Sequence, residues 1–364
     1  MELSAAQVAV TMFLLSSLIL SAVKSAEDFD DATILRRKSP VAGLCAQLIE
    51  PSGFPCSEHK AGDAWFLDNL NQSLGFILAN RGFDVWVGNV CGTRWCHCHV
   101  SLSEKDREFW EWSWQDYALY DLREMICYIY TVTNSRVFVI GHSQGTIVSL
   151  AAFTQPVIVE MVGAAALLCP ITYLNHITAR LPLRLVKMHL DQVFLAMGIH
   201  ELNFKRPCTY VCDIVLNAFL SLCNRLLCAG NNCCFNSSRI DFYLEYEPHP
   251  TSRMNLNHHF QSTFAMYNHG RWKNMWHYGQ LKPSKFDLSR IPSSLPLWMG
   301  YGGNDTLADV TDLQHTLKEL RSKPDLHYLE NYGHLDFLVS TRSKEDVYDR
   351  MLAFFNSLET LSSH

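Results

Sequence analysis

The chain has 364 residues, 48% of them hydrophobic and 18% charged, which is enough to bury a large core and is unlike a disordered or fibrous chain. A net charge of -6, with no basic stripe interleaved with aromatics standing out, speaks against a nucleic-acid partner. The natural expectation is one large domain with an insertion.

The N-terminus carries an apolar stretch, Val8 to Leu15 and on through Leu18-Ile19-Leu20, then small residues around Ala22 and Ala26, then the acidic Glu27 to Asp31. This pattern predicts a signal peptide over residues 1–26. An uncleaved anchor is the rival, although the apolar run is short for a bilayer. Thirteen cysteines, six of them between Cys208 and Cys234, and sequons at Asn71, Asn236 and Asn304 fit a secretory route, to the outside or to a vacuole or lysosome. No paired C-x-x-C with histidines falls at zinc-finger spacing, so neither a metal nor a cofactor is expected.

From Ser39 to His59 the chain reads as irregular. Leu67 to Ala79 has helical spacing, and Phe83 to Val90 is an apolar run of strand length. Ser113 opens a helix with apolar positions at Leu119, Leu122, Met125, Ile126 and Ile129, which Asn134-Ser135 breaks. Next comes the segment around which the chain is organised. Val137 to Ile140 is a buried strand, Gly141-His142-Ser143-Gln144-Gly145 a sharp turn, and Thr146 to Phe153 a buried helix. Such a turn holds a serine in a strained backbone with its hydroxyl presented, and small residues two positions away let strand and helix approach. A serine that merely caps a helix is the bland alternative.

Ala164 to Cys169 reads as another strand, ended by Pro170. Strands alternating with helices indicate a parallel sheet covered on both faces. The alternation stops over about Ile171 to Ser289 and resumes with a strand at Leu295 to Tyr301, a helix capped by Asp309, a strand at Leu326 to Glu330 and a closing helix from Glu345. The domain plan is therefore a core in two parts, residues 27–170 and 290–364, and a helical cap over 171–289. Apolar residues of the cap, from Leu181 to Met197 and at Phe260, Phe264, Met266 and Tyr267, suit either a buried cap core or a surface for lipid.

A serine needs a base, and the base needs an orienting acid. In a strand-turn-helix hydrolase these follow in the order serine, acid, histidine, on loops at the carboxyl ends of strands. Asp305 lies beyond the Leu295 strand and His334 beyond the Leu326 strand. Asp309 reads better as a helix cap, and Asp336 is too close to His334 in sequence for the usual geometry.

The sequence resembles the acid lipases, the gastric and lysosomal type, and most of all plant triacylglycerol lipases. The resemblance rests on Ala61-Gly62-Asp63-Ala64-Trp65, Asp84 to Val90, Gly92-Thr93-Arg94, Phe109-Trp110, Ser113-Trp114, Gly141 to Thr146, Gly302-Gly303-Asn304-Asp305 and Gly333 to Phe337. It implies an α/β-hydrolase fold with a mostly parallel sheet and a helical cap, hydrolysis of triacylglycerols or other neutral lipid esters at an interface, and peripheral lipid contact through the cap. It further implies Ser143, Asp305 and His334 as the catalytic triad and Gln144, through its backbone N–H, as an oxyanion donor. Oligomeric state is not legible.

One departure stands out. In the family several strands and a His-Gly loop separate the stretch resembling Cys56-Ser57-Glu58-His59 from the one resembling Ala61-Gly62-Asp63, and here only Lys60 does. The N-terminal part of the sheet is therefore expected to be shortened, without the first oxyanion loop, and with a mid-sheet gap that direct pairing of the Phe83 strand with the elbow strand could close. An inactive, lipid-binding short form and a thioesterase or peptidase on the same fold are the alternatives.

Overall fold

A computed structural model of the chain describes residues 18–22, 63–93, 96, 99–178, 201–202, 239, 243 and 249–362. The cysteines between 208 and 234, the apolar run 181–197, Asn236 and the Lys60 junction lie outside the described residues.

The described elements are β1 (Leu18–Ala22), α1 (Leu74–Asn80), β2 (Asp84–Val87), α2 (Leu122–Thr133), β3 (Val137–His142), α3 (Gln144–Phe153), β4 (Val162–Leu168), β5 (Glu201–Leu202), β6 (Thr251–Ser252), α4 (Arg253–Phe260), α5 (Arg271–Tyr278), β7 (Leu297–Gly302), α6 (Val310–Glu319), β8 (Asp325–Leu329) and α7 (Asp349–Ser362). Six strands form one sheet in the order β2-β1-β3-β4-β7-β8, parallel from β3 through β8. β5 and β6 pair as a two-residue antiparallel ladder in the region expected to be helical.

The central strands are buried because their sequences are. All six residues of β3, and all but Gly163 in β4, are buried. Helices on both faces are what such strands require. α3 is buried over all ten residues, and two of its hydroxyls bond back to the preceding turn: Thr146 Oγ1 donates to Ser143 O (2.6 Å) and Ser149 Oγ to Gly145 O (2.7 Å). Local signals set the ends of elements. Ser113 and Asp116 make a reciprocal capping box ahead of α2, Asn134 ends α2 in the left-handed region at φ 51°, and Asp309 Oδ1 accepts the Thr311 N–H (2.7 Å) at the start of α6.

The mid-sheet gap is closed differently from the expectation. β2 does not pair with β3; β1 lies between them, antiparallel to both, with Leu18 to Ala22 registered against Gly141 to Val137 on one side and Ile19 to Ala22 against Val87 to Asp84 on the other. Strands sit about 4.8 Å apart, and the backbone groups of a buried strand demand partners, so a slot one strand wide is filled by whichever extended segment reaches it. That segment belongs to the stretch read from sequence as a signal peptide.

Candidate active site

Strand β3 delivers the elbow. Ser143 sits at φ 53°, ψ -116°, a strained conformation for a non-glycine residue, and its N–H donates to Leu168 O (3.0 Å) across to β4. A Cβ on Gly141 would stand 2.9 Å from the Gly145 carbonyl carbon and oxygen, so the close approach of strand and helix requires glycine there.

Three loops at the carboxyl ends of β3, β7 and β8 converge. The Ser143 hydroxyl lies 2.7 Å from His334 Nε2, and His334 Nδ1 lies 2.8 Å from Asp305 Oδ2. The side chains of His334 and Asp305 are wholly buried. A carboxylate only accepts, so Nδ1 carries the ring proton and Nε2 is left to take one from serine. Asp305 Oδ1 accepts the N–H groups of Leu307 (2.9 Å) and Ala308 (2.8 Å). Burial acts to raise the Asp305 pKa, but His334 and these two N–H groups outweigh it and the net shift is downward, keeping the carboxylate charged. The rival acids have other tasks. Asp309 caps α6, and Asp336 Oδ2 accepts the Gly333 N–H (2.7 Å), shaping the histidine loop.

The two loops are locked to each other through main chain. Asn304 N donates to Tyr332 O (3.1 Å) and Gly303 N to Leu329 O (2.9 Å), while a Cβ on Gly302 would collide with the Tyr332 carbonyl. His334 is held from behind as well: its carbonyl accepts His142 Nε2–H (2.9 Å) and the Cys169 thiol (3.4 Å). Burial, followed by the neighbouring His334, pushes the His142 pKa down to about 3, so this ring is a neutral donor. His142, Cys169 and His334 cluster closely enough to hold a metal ion, but both ring nitrogens of His334 are already engaged by serine and aspartate.

Gln144 is the first residue of α3, and its N–H is one of those at a helix start that no carbonyl of the same helix reaches. Its side chain is gripped from α4. Asn255 Nδ2 donates to Gln144 Oε1 (2.9 Å), and so does His259 Nε2 (2.7 Å). Burial lowers the His259 pKa to about 4. Next to it, His258 stacks on Trp114 at 4.3 Å and bridges Ser113 Oγ (2.9 Å) and Ala265 O (3.0 Å). Sequence reasoning passed over Asn255 and His259, whose spacing of four within a helical run was the available signal. Of the ambiguous cap residues, Phe264 is core, with Phe260 and Met266 packed against it.

Sheet, elbow and converging loops define an α/β-hydrolase with a serine, histidine and aspartate in hydrogen-bond contact. No family model matches the chain. It is 50% identical to triacylglycerol lipase 1 of Arabidopsis thaliana, covering 89% of this chain and 93% of that one, and 32% identical to triacylglycerol lipase 2 of the same plant, covering 88% and 89%. It is also 32% identical to human lysosomal acid lipase/cholesteryl ester hydrolase, covering 79% of this chain and 75% of the other. The chain belongs to the acid lipase family and is a lipase/esterase hydrolase. Its match to triacylglycerol lipase 1 spans 372 aligned positions, more than 89% of this chain supplies, so the relative holds residues that have no counterpart here.

Proposed function

We propose that the chain hydrolyses carboxylic esters of neutral lipids such as triacylglycerols through an acyl-enzyme on Ser143. The observation that carries this is the unbroken contact from Ser143 Oγ through His334 to Asp305 inside a buried elbow. Ser143 Oγ attacks the ester carbonyl as its proton passes to His334 Nε2, with Asp305 stabilising the imidazolium. The tetrahedral oxyanion lies toward the Gln144 N–H, which the α4 clamp orients. Collapse expels the alcohol, which takes the proton from His334. Water, activated by the same ring, then releases the fatty acid and restores serine.

The triacylglycerol lipase relatives support the substrate class, and lysosomal acid lipase supports a secretory-pathway location. Residues 171–289, between β4 and β7, are the proposed cap, and the flanking residues 27–170 and 290–364 the core. Among the described residues no helix is long and apolar enough to cross a membrane. The Lys60 junction favours a second reading, a short form that binds lipid without turnover for want of the first oxyanion loop. A fluorophosphonate probe separates the two. Labelling of Ser143 that Ser143→Ala abolishes, with hydrolysis of emulsified triacylglycerol, supports the enzyme. Labelling that moves to another serine sinks the assignment, and labelling without turnover selects the second reading.

A further inference from the structure

Helix α5 is turned inside out. Its buried residue is polar: Asn274 Nδ2 donates to Asn268 Oδ1 (2.8 Å) and Leu281 O (3.2 Å), and its Oδ1 accepts the His269 N–H (2.9 Å). The outward face carries Trp272, Met275 and Trp276 at i, i+3 and i+4, the two tryptophans 86% and 85% exposed. Every other tryptophan among the described residues is buried or half-buried. A water-facing helix ordinarily presents the opposite arrangement.

The charge along this stretch of sequence is one-sided. Residues 248–286 contain no Asp or Glu, in a chain with six more acids than bases, and they include Arg271, Lys273, Lys282 and Lys285, all exposed. Bases and aromatics do interleave here, which the net charge of the whole chain conceals. A short helix with tryptophans on one side and lysine and arginine beside them matches the boundary between lipid and water, where an indole rests its apolar body in acyl chains and its N–H among headgroups. Ester hydrolysis also makes such a boundary negative, because each turnover leaves a carboxylate in it.

The helix is tied to the site. Tyr278 OH donates to Tyr267 O (2.9 Å), Tyr267 OH donates to Asn257 Oδ1 on α4 (2.8 Å), and α4 carries the two residues that grip Gln144. We infer that α5 is an interfacial anchor that docks on an anionic lipid surface through Trp272 and Trp276, assisted by Arg271, Lys273 and Lys282. The inference deepens the lipid-ester reading above and rests on it for the identity of the surface.

The test uses the full chain carrying Ser143→Ala, so that binding is read without turnover, and vesicles of phosphatidylcholine alone or mixed with oleate. The expected result is partition into the oleate vesicles, reduced about tenfold or more by Trp272→Ser with Trp276→Ser. Arg271→Gln with Lys273→Gln should weaken binding and flatten its salt dependence. With Ser143 restored, both pairs should leave p-nitrophenyl butyrate hydrolysis unchanged, which also certifies the fold, and should slow hydrolysis of emulsified triolein. The anchor is overturned if the tryptophan pair binds oleate vesicles as the parent does, or if the parent partitions equally into both vesicle types. It is equally overturned if the tryptophans instead sustain a dimer that the double variant dissolves and no vesicle binding is seen. If the parent binds through the tryptophans yet hydrolyses neither ester, the proposed function fails and the anchor stands.

Discussion

Deleting residues 1–26 should cost this chain most of its stability. β1 contributes five registered pairs to β3 and four to β2, and antiparallel pairing averages about one hydrogen bond per pair. At a net contribution of roughly 0.5–1.5 kcal/mol per backbone hydrogen bond, these ladders together amount to about 5–13 kcal/mol. Typical domains have only about 5–15 kcal/mol of net stability. The β3 side weighs more, because every residue of β3 is buried and its stranded backbone groups would have no water to turn to. Urea unfolding of the full chain and of a chain beginning at residue 27, followed by the near-ultraviolet signal of the buried tryptophans, measures the difference. The shortened chain should show low soluble yield and little cooperative unfolding. Inserting a family-type strand and His-Gly loop between Lys60 and Ala61 should restore both and raise ester turnover as well. If the chain from residue 27 unfolds at the same urea midpoint as the full chain, β2 and β3 close on each other directly and β1 is dispensable.

Gly302→Ala should lower ester turnover by about a hundredfold, since the added methyl pushes the Asp305 loop off the Tyr332 carbonyl and away from His334; soluble-ester kinetics report it. Asn255→Leu should leave the grip on Gln144 half-made and cost about 1–3 kcal/mol, with kcat falling more than KM rises. On acidification the protein should lose stability between about pH 6.5 and 3. His142 and His258 stay neutral down to about pH 3 and His259 to about pH 4, whereas in the unfolded chain each protonates near 6.5 and favours unfolding on the order of 3 kcal/mol. The depressed Asp305 acts only lower still, its contribution being present above the ordinary carboxylate range and lost as pH falls through its folded value. Thermal midpoints at pH 7 and 4.5, with His259→Gln shrinking the gap, check the slope. Asn304 should carry no glycan in active protein, because its neighbour Asp305 is buried against His334, and glycopeptide mass spectrometry reads this out.

Local signals were legible because each acts over a few residues. The elbow, the Asp309 cap, the Asn134 stop and the order of strands β3, β4, β7 and β8 are written in short patterns around those positions. Asp305 and His334 were legible through their place after strands, and the contact at 2.8 Å agrees with that placing. What short patterns do not encode is a partner far away in sequence. β1 reads as a leader because its residues are apolar and near the N-terminus, and only the unpaired edges of β2 and β3 give such a segment a use in the sheet. Asn255 and His259 likewise take their meaning from Gln144, more than a hundred positions earlier.

The place of β1 turns folding into a race against synthesis. Its main partner, Val137 to Gly141, is made more than a hundred residues later, a delay of roughly ten seconds at ordinary elongation rates. Through that interval β1 has only β2 to pair with, and its other edge stays open until the elbow strand is made. An edge held open that long invites pairing with other chains, so synonymous changes that slow translation up to β3 should lower soluble yield with no change to the protein.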